Sequence, residues 1–269
     1  MRCGSRSLAG MLGAGLLSLT PAAASALTVT TAFDDDLEDW QPTGLDFEFT
    51  PFPPAVTDLF LVPNPGDMVH ESSGGNPGGY ARLTDAIPEP SSFAQAPAPY
   101  TGDLSDFIGG TFSFDHRLFE RGIDDSGPAE ISPYAFLIIS GDLFDLNALA
   151  FTAPAPSGNT DWVHFDVTLS PVSAGGDLTF VTDVQASVLF PGLPVSGTIG
   201  SILGRGPTKT FAQIMASVDA VLIPFELANN EGNQQSEWAG IDNVSMVPEP
   251  TGFALLLMSG ALLLLRRAA

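Results

Sequence analysis

The sequence predicts an all-β fold, a β-sandwich with one short helix. Three observations carry this. Glycine and proline are frequent, 28 and 23 of 269 residues, and they punctuate short apolar segments. Two of those segments alternate with the two-residue period of a half-buried strand, and only one interior segment has a helical period. Many short strands separated by Gly and Pro turns are the pattern of a sandwich.

In chain order, the expected strands are Thr28–Phe33, Phe60–Val62, Ala81–Thr84, Gly110–Asp115, Tyr134–Ser140, Leu146–Thr152, Trp162–Leu169, Ala186–Leu189, Ala220–Leu227 and Ala239–Val247. In Gly110–Asp115, Phe112 and Phe114 fall on one face; Trp162–Leu169 alternates in the same way. The helical segment follows Pro207. Thr208 is the expected cap, and Phe211, Ile214, Met215 and Val218 recur at three- and four-residue steps, which predicts a helix over Lys209–Ser217. Ile87–Pro99, rich in Pro, Ala and Ser, reads as a loop crossing a sheet edge. The interior shows no repeat and no domain boundary.

Both ends carry addresses. Arg2 and Arg6 precede an apolar run, Leu8 to Leu19, and then a small-residue stretch ending Ala24-Ser25-Ala26. This is the pattern of a secretory signal peptide, residues 1–26, cut after Ala26 or after Ala24. The only cysteine, Cys3, lies inside it, so residues 27–247 contain no disulfide and no thiolate. At the other end stand Pro248-Glu249-Pro250, an apolar run Thr251–Leu265, and Arg266-Arg267. The run corresponds to roughly 22 Å of helix against about 30 Å of hydrocarbon, and the arginines belong on the cytoplasmic side. A triplet, a short apolar span and a basic end in this order resemble the PEP-CTERM sorting signal of bacterial exported proteins. The resemblance implies a domain division of 1–26, 27–247 and 248–269. It also implies transient membrane insertion by a C-terminal hydrophobic helix, processing near Pro248, Glu249 and Pro250 by an exosortase, and delivery to the cell surface or extracellular matrix.

Residues 27–247 hold 30 acidic side chains against five basic ones, Arg82, Arg117, Arg121, Arg205 and Lys209. The formal net charge of the whole chain is −22. Binding to nucleic acid relies on clustered Lys and Arg, so a nucleic-acid partner is excluded. Solubility through net charge accounts for most of these carboxylates.

The stretch Ala96-Pro97-Ala98-Pro99-Tyr100-Thr101-Gly102-Asp103-Leu104-Ser105-Asp106-Phe107-Ile108-Gly109-Gly110-Thr111-Phe112-Ser113-Phe114 resembles the laminin B module, also called laminin domain IV. The shared pattern is a proline, an aromatic, Gly-Asp, a spacer with serine, Gly-Gly and an alternating strand. Ile138-Ile139-Ser140-Gly141, the strand led by Trp162, the Phe211–Ser217 helix, Val221-Leu222-Ile223 and Ile241-Asp242-Asn243-Val244-Ser245 follow in similar order. The resemblance covers about Gly79 to Met246. It implies a jelly-roll sandwich like galactose-binding modules, an extracellular or surface role, and no catalytic machinery. Independently of it, Asp103 is placed to accept backbone amides in the turn it opens.

Catalytic patterns are sparse. His70, His116 and His164 lack metal-ligand spacing, and no G-x-S-x-G elbow occurs. Acidic residues are too many for spacing to single out a glycosidase pair. Calcium is the cofactor the sequence raises: Asp34 and Asp36 open the domain, Asp242 begins its last strand, and Ca²⁺ takes six to eight oxygen ligands. Asn243-Val244-Ser245 fits a glycosylation sequon but lies inside an expected strand. Trp40, Trp162, Trp238, Tyr80, Tyr100 and Tyr134 are the large aromatics available to stack on a sugar, with Trp238 the expected exposed one. The reading is an exported, non-catalytic surface protein that adheres to or associates with polysaccharide. The alternatives are a carbohydrate-active enzyme and a purely structural matrix component.

Overall fold

A computed structural model describes residues 27–51, 54–63, 67–84, 92–120, 134–141, 143–153, 161–171, 178–189, 196–225 and 238–249. The expected signal peptide, Pro250 and the C-terminal apolar run with Arg266 and Arg267 lie outside them. Among the described residues no helix is long and apolar enough to cross a membrane.

Among the described residues thirteen strands form two antiparallel sheets. In chain order they are β1 (Val29–Thr31), β2 (Gln41–Pro51), β3 (Pro54–Pro63), β4 (Asp67–Gly75), β5 (Gly78–Thr84), β6 (Ser92–Gln95), β7 (Thr111–Glu120), β8 (Tyr134–Ile139), β9 (Ala148–Ala153), β10 (Val163–Thr168), β11 (Leu178–Phe180), β12 (Ala220–Pro224) and β13 (Trp238–Val247). The first sheet runs β10-β7-β13-β5-β4, with β1 also on β13; the second runs β11-β9-β8-β12-β6-β2-β3. The all-β sandwich is therefore present.

Alternation builds the core. Phe112 and Phe114 of β7, Ala81 and Leu83 of β5, and Ile241, Val244 and Met246 of β13 turn inward. They meet Phe136, Ile138, Leu149, Phe151, Val221 and Ile223 of the second sheet. Phe112 stacks on Phe136 at 4.4 Å between ring centroids. Tyr100 ties the expected Gly-Asp motif to this core: its ring packs beside Trp40 and Phe112, and its hydroxyl donates to the Val244 carbonyl at 3.0 Å. Burial pushes the Tyr100 hydroxyl up to about 12. Asp103 Oδ1 accepts the Ser105 amide at 3.0 Å, closing the turn as its position predicts.

The central strands of the second sheet, β6, β8, β9 and β12, are buried on both faces. The sheet's outer side carries Leu45, Phe93, Leu137, Ile139 and Leu222, and these pack under Val181, Val184, Ala186, Leu189 and Ile199. Two short helices, α1 (Ala186–Leu189) and α2 (Ile199–Leu203), belong to that cover. The expectation of a strand over Ala186–Leu189 is thus corrected to one helical turn, which places Ala186 and Leu189 together against the sheet. The expected loop over Ile87–Pro99 is corrected as well. Its described part contains β6, an interior strand between β12 and β2. Ser92, Phe93 and Ala94 are all buried, so β6 shows no alternation to read.

The third helix, α3, is shorter than the expected Lys209–Ser217: it spans Phe211–Met215 and is capped by Thr210. Thr210 and Gln213 form a reciprocal capping box. Thr208 is not the cap because Asn147 already holds that stretch: its Oδ1 accepts the amides of Thr208 at 3.0 Å and Lys209 at 2.8 Å. The apolar face is as expected, with Phe211, Ile214 and Met215 buried.

His116 lies wholly within the core. Burial pushes its imidazole down to about 3, against the opposing effect of a hydrogen bond to the Pro224 backbone. An unfolded histidine takes its proton near pH 6.5, so between pH 6.5 and 3 the folded chain binds fewer protons and stability falls with pH. The limiting slope is about 1.4 kcal/mol per pH unit. In urea unfolding from pH 7 to 4, the stability of the natural chain relative to His116→Gln should fall as the pH is lowered, a difference in which the contributions of the carboxylates cancel. Parallel curves for the two proteins would contradict the assignment.

Candidate functional site

The outer face of the first sheet carries the side chains best placed for chemistry. Tyr80 of β5, Phe119 of β7 and Trp162, just before β10, converge there from three separate segments of the chain. Tyr80 and Phe119 stack at 5.1 Å, and Trp162 meets both edge-on at 5.4 and 5.9 Å. The rings lie over Gly240 of β13, where a Cβ would stand 2.8 Å from Tyr80 and 2.9 Å from Phe119. Glycine is needed at this position because two rings cross the strand at contact distance. Trp162 and Phe119 are half-buried and Tyr80 is nearly covered. The Arg117 guanidinium lies 4.5 Å from the Phe119 ring centre, in the geometry of a cation–π contact. Arg82 Nε pairs with Glu71 at 2.7 Å beside them.

A polar cage adjoins this platform. β7 and β13 align Asp115 opposite Asp242. Both are buried, and like charges set directly across a strand pair are unfavourable. The cost is offset by donors from three other places. Asp242 Oδ2 accepts the Asn76 amide at 2.5 Å and its Oδ1 the Asn243 amide at 2.7 Å. Asp115 Oδ2 accepts the side-chain amides of Asn76 at 3.1 Å and Asn243 at 2.7 Å. His164 Nδ1 stands 2.6 Å from Asp115 Oδ1. Asn243 reaches this position because β13 bulges between Asp242 and Ser245. Its φ of +49° is in the left-handed region, which asparagine tolerates.

Asn76 belongs to the tip of the β4–β5 hairpin, which folds across the outer face. Trp162 Nε1 donates to the Gly74 carbonyl at 2.9 Å and fixes the tip from the other side. Burial, together with the charges of Asp115 and Asp34, pushes the Asp242 carboxyl up to about 6, and the two amides that it accepts oppose this. Its effect on stability is opposite in sign to that of His116. As pH falls from 6 towards 4 the folded chain takes up this proton first, and the Asp242 contribution to stability rises.

The expected calcium residues are distributed unevenly. Asp34 lies near enough to Asp242 for its charge to be felt there. Asp36 stays in its own turn, where its Oδ1 accepts the Glu38 amide at 2.7 Å. Among the described residues no group of three or more His, Cys, Asp or Glu side chains is placed to hold a metal ion. The expected sequon residue Asn243 has its amide nitrogen committed to Asp115 and to the Asn76 carbonyl. Of the expected aromatics, Trp40 and Tyr100 are core, while Trp162 and Tyr80 reach the outer face. The side chains of Trp238 and Tyr134 lie outside the described residues. Of the expected processing residues, Ala26 and Pro250 lie outside the described residues, while Pro248 and Glu249 directly follow β13.

Sequence reasoning did not pick out Asp115, Asn76, Phe119 or Arg117. One signal was available: Gly240 is a lone glycine inside a strand pattern, and such a glycine marks close approach by a neighbour.

No family model matches the chain, and no curated protein matches it. Among solved structures the chain is similar to the L4b domain of human laminin alpha-2, with a TM-score of 0.45 and 9% identity, covering 83% of this chain and 98% of that one. It is also similar to an exo-beta-agarase, with a TM-score of 0.41 and 13% identity over 84% of this chain and 25% of that one.

Asn76→Ala deletes one donor to the buried Asp115. A loss of about 1–2 kcal/mol is expected, with faster hydrogen exchange concentrated in Ser72–Gly79. Uniform acceleration across the first sheet would show that Asn76 does not specifically hold the hairpin tip.

Proposed function

We propose that this chain is exported, sorted through its C-terminal tail by an exosortase, and displayed at the cell surface or in the extracellular matrix. There its sandwich associates with polysaccharide without catalysis. The observation that carries the reading is the Tyr80-Phe119-Trp162 platform. Aromatic faces bordered by carboxylates, a histidine and arginines match the chemistry of a sugar, whose C–H faces stack on rings and whose hydroxyls take polar partners. The second sheet has no equivalent surface among the described residues, because Val181, Val184, Ala186, Leu189 and Ile199 pack on its outer side.

The sorting part rests on Pro248-Glu249-Pro250, the apolar run and Arg266-Arg267. Against a catalytic role stands the burial of Asp242 beneath Asn76, which leaves one member of the Asp115–Asp242 pair without access to a substrate. Calcium at Asp34 and Asp242 is supported by the nearness of two carboxylates. Its test is a melting shift with calcium that exceeds the shift with magnesium at equal ionic strength and is lost in Asp242→Ala.

Binding is tested with the surface protein and the producing cell's own exopolysaccharide, followed by tryptophan fluorescence and co-sedimentation. Trp162→Ala should weaken association by roughly tenfold, equivalent to about 1.4 kcal/mol. Arg117→Ala should weaken it less, and Thr101→Ala, remote from this face, should leave it unchanged. Equal binding by Trp162→Ala would place the contact elsewhere. Polysaccharide turnover abolished in Asp115→Asn would instead establish the enzyme reading.

A further inference from the structure

The triplet expected to be processed begins inside the folded domain. Pro248 is buried, although it follows the last residue of β13. The Gly109-Gly110 turn receives it. A Cβ on Gly110 would collide with the Val247 carbonyl and would lie 2.8 Å from Pro248 Cα and 2.9 Å from the Glu249 amide nitrogen. A Cβ on Gly109, whose φ is +86°, would meet the Glu249 carboxylate. The turn itself is anchored. Gly109 N donates to Leu169 O, Leu169 N to Gly110 O, and Gly110 N to Phe107 O, at 2.8, 2.8 and 2.9 Å. Upstream, Met246 and Val247 remain paired with Phe112 and Thr111 of β7.

We infer that the Gly109-Gly110 turn is a seat for Pro248 and Glu249, and that a protease acting on the tail cuts beyond Glu249, leaving both residues on the mature domain. The inference rests on the reading that the tail is processed. Proteases take their substrates as extended, accessible backbone. Residues up to Val247 are held in the ladder and the next two in the seat, so a cut at Pro248 requires that the end of β13 be peeled away first, an opening with its own free-energy cost. Every bond up to Pro248–Glu249 carries this cost. Gly110 has the same explanation: any side chain there occupies the path of the departing chain.

The test uses the full chain in a producing host and reads the C-terminal residue of the surface form by intact mass. The natural chain should end at Glu249 or later. Gly110→Val, which fills the seat, should shift termini upstream into 244–248, while Gly206→Val, where a Cβ meets nothing within 4 Å, should match the natural chain. If Gly110→Val does not reach the surface, Gly109→Ala, which crowds the Glu249 carboxylate, takes its place, with Gly102→Ala, at a φ of +87° and nothing within 4 Å, as the control for backbone strain. A natural terminus at Val247 or Pro248, or an unmoved terminus in the seat variant, overturns the inference alone. A surface form that keeps Arg266 and Arg267 overturns it together with the processing reading.

Discussion

The pairing of β13 with β7 is the constraint on which the rest of this molecule depends. β7 flanks β13 along one edge, while β5 and then β1 share the other. That one ladder sets the inward row of Phe112, Phe114, Ile241, Val244 and Met246 against the second sheet. It also puts Gly240 beneath two aromatic rings, opposes Asp115 to Asp242, joins Ser113 to Ser245 at 2.8 Å, and delivers Pro248 to the Gly-Gly turn. A slip of one residue would send each of these to the opposite face. The bulge at Asn243 and Val244 absorbs the change of partner from β5 to β1 without losing the inward row.

The carboxylate cage helps to fix that register. Two buried acids facing each other would be costly if any of their donors were missing, and the donors come from the β4–β5 tip, the β13 bulge and β10. Only one alignment brings Asn76, Asn243 and His164 to the same two side chains. The arrangement therefore penalises alternative pairings more than it strengthens the native one, which is the best-attested value of buried polar groups.

What could be read from the sequence follows from where each signal resides. Phe112 with Phe114, and Val163 to Thr168, were legible because each strand has one buried and one open face. β6 was not, since both its faces are covered and prolines surround it. In Thr208-Lys209-Thr210 either threonine satisfies the cap pattern; Asn147, 61 residues before Thr208, decides between them. The β2–β3 hairpin was seen only at Phe60–Val62, because prolines at Pro42, Pro51, Pro54 and Pro63 break the apolar pattern. The outer-face site was less legible still. Its rings come from residues 80, 119 and 162, and its acids from 115 and 242, so no local window contains the constellation. Gly240 alone hinted that something lay over the last strand.

The meeting of β1 with β13 has a mechanical consequence. These strands are antiparallel, with Val29 opposite Met246, so Leu27 and Pro248 emerge side by side. A force drawing those two points apart opens the β1–β13 ladder from its end, one hydrogen-bonded pair at a time, and meets little resistance. A force entering at the aromatic platform and leaving through Glu249 acts along β13 and loads its pairs with β7 together, in shear. Pulled at Glu249 against a load at the aromatic platform, the domain resists in shear, while its first strand peels easily.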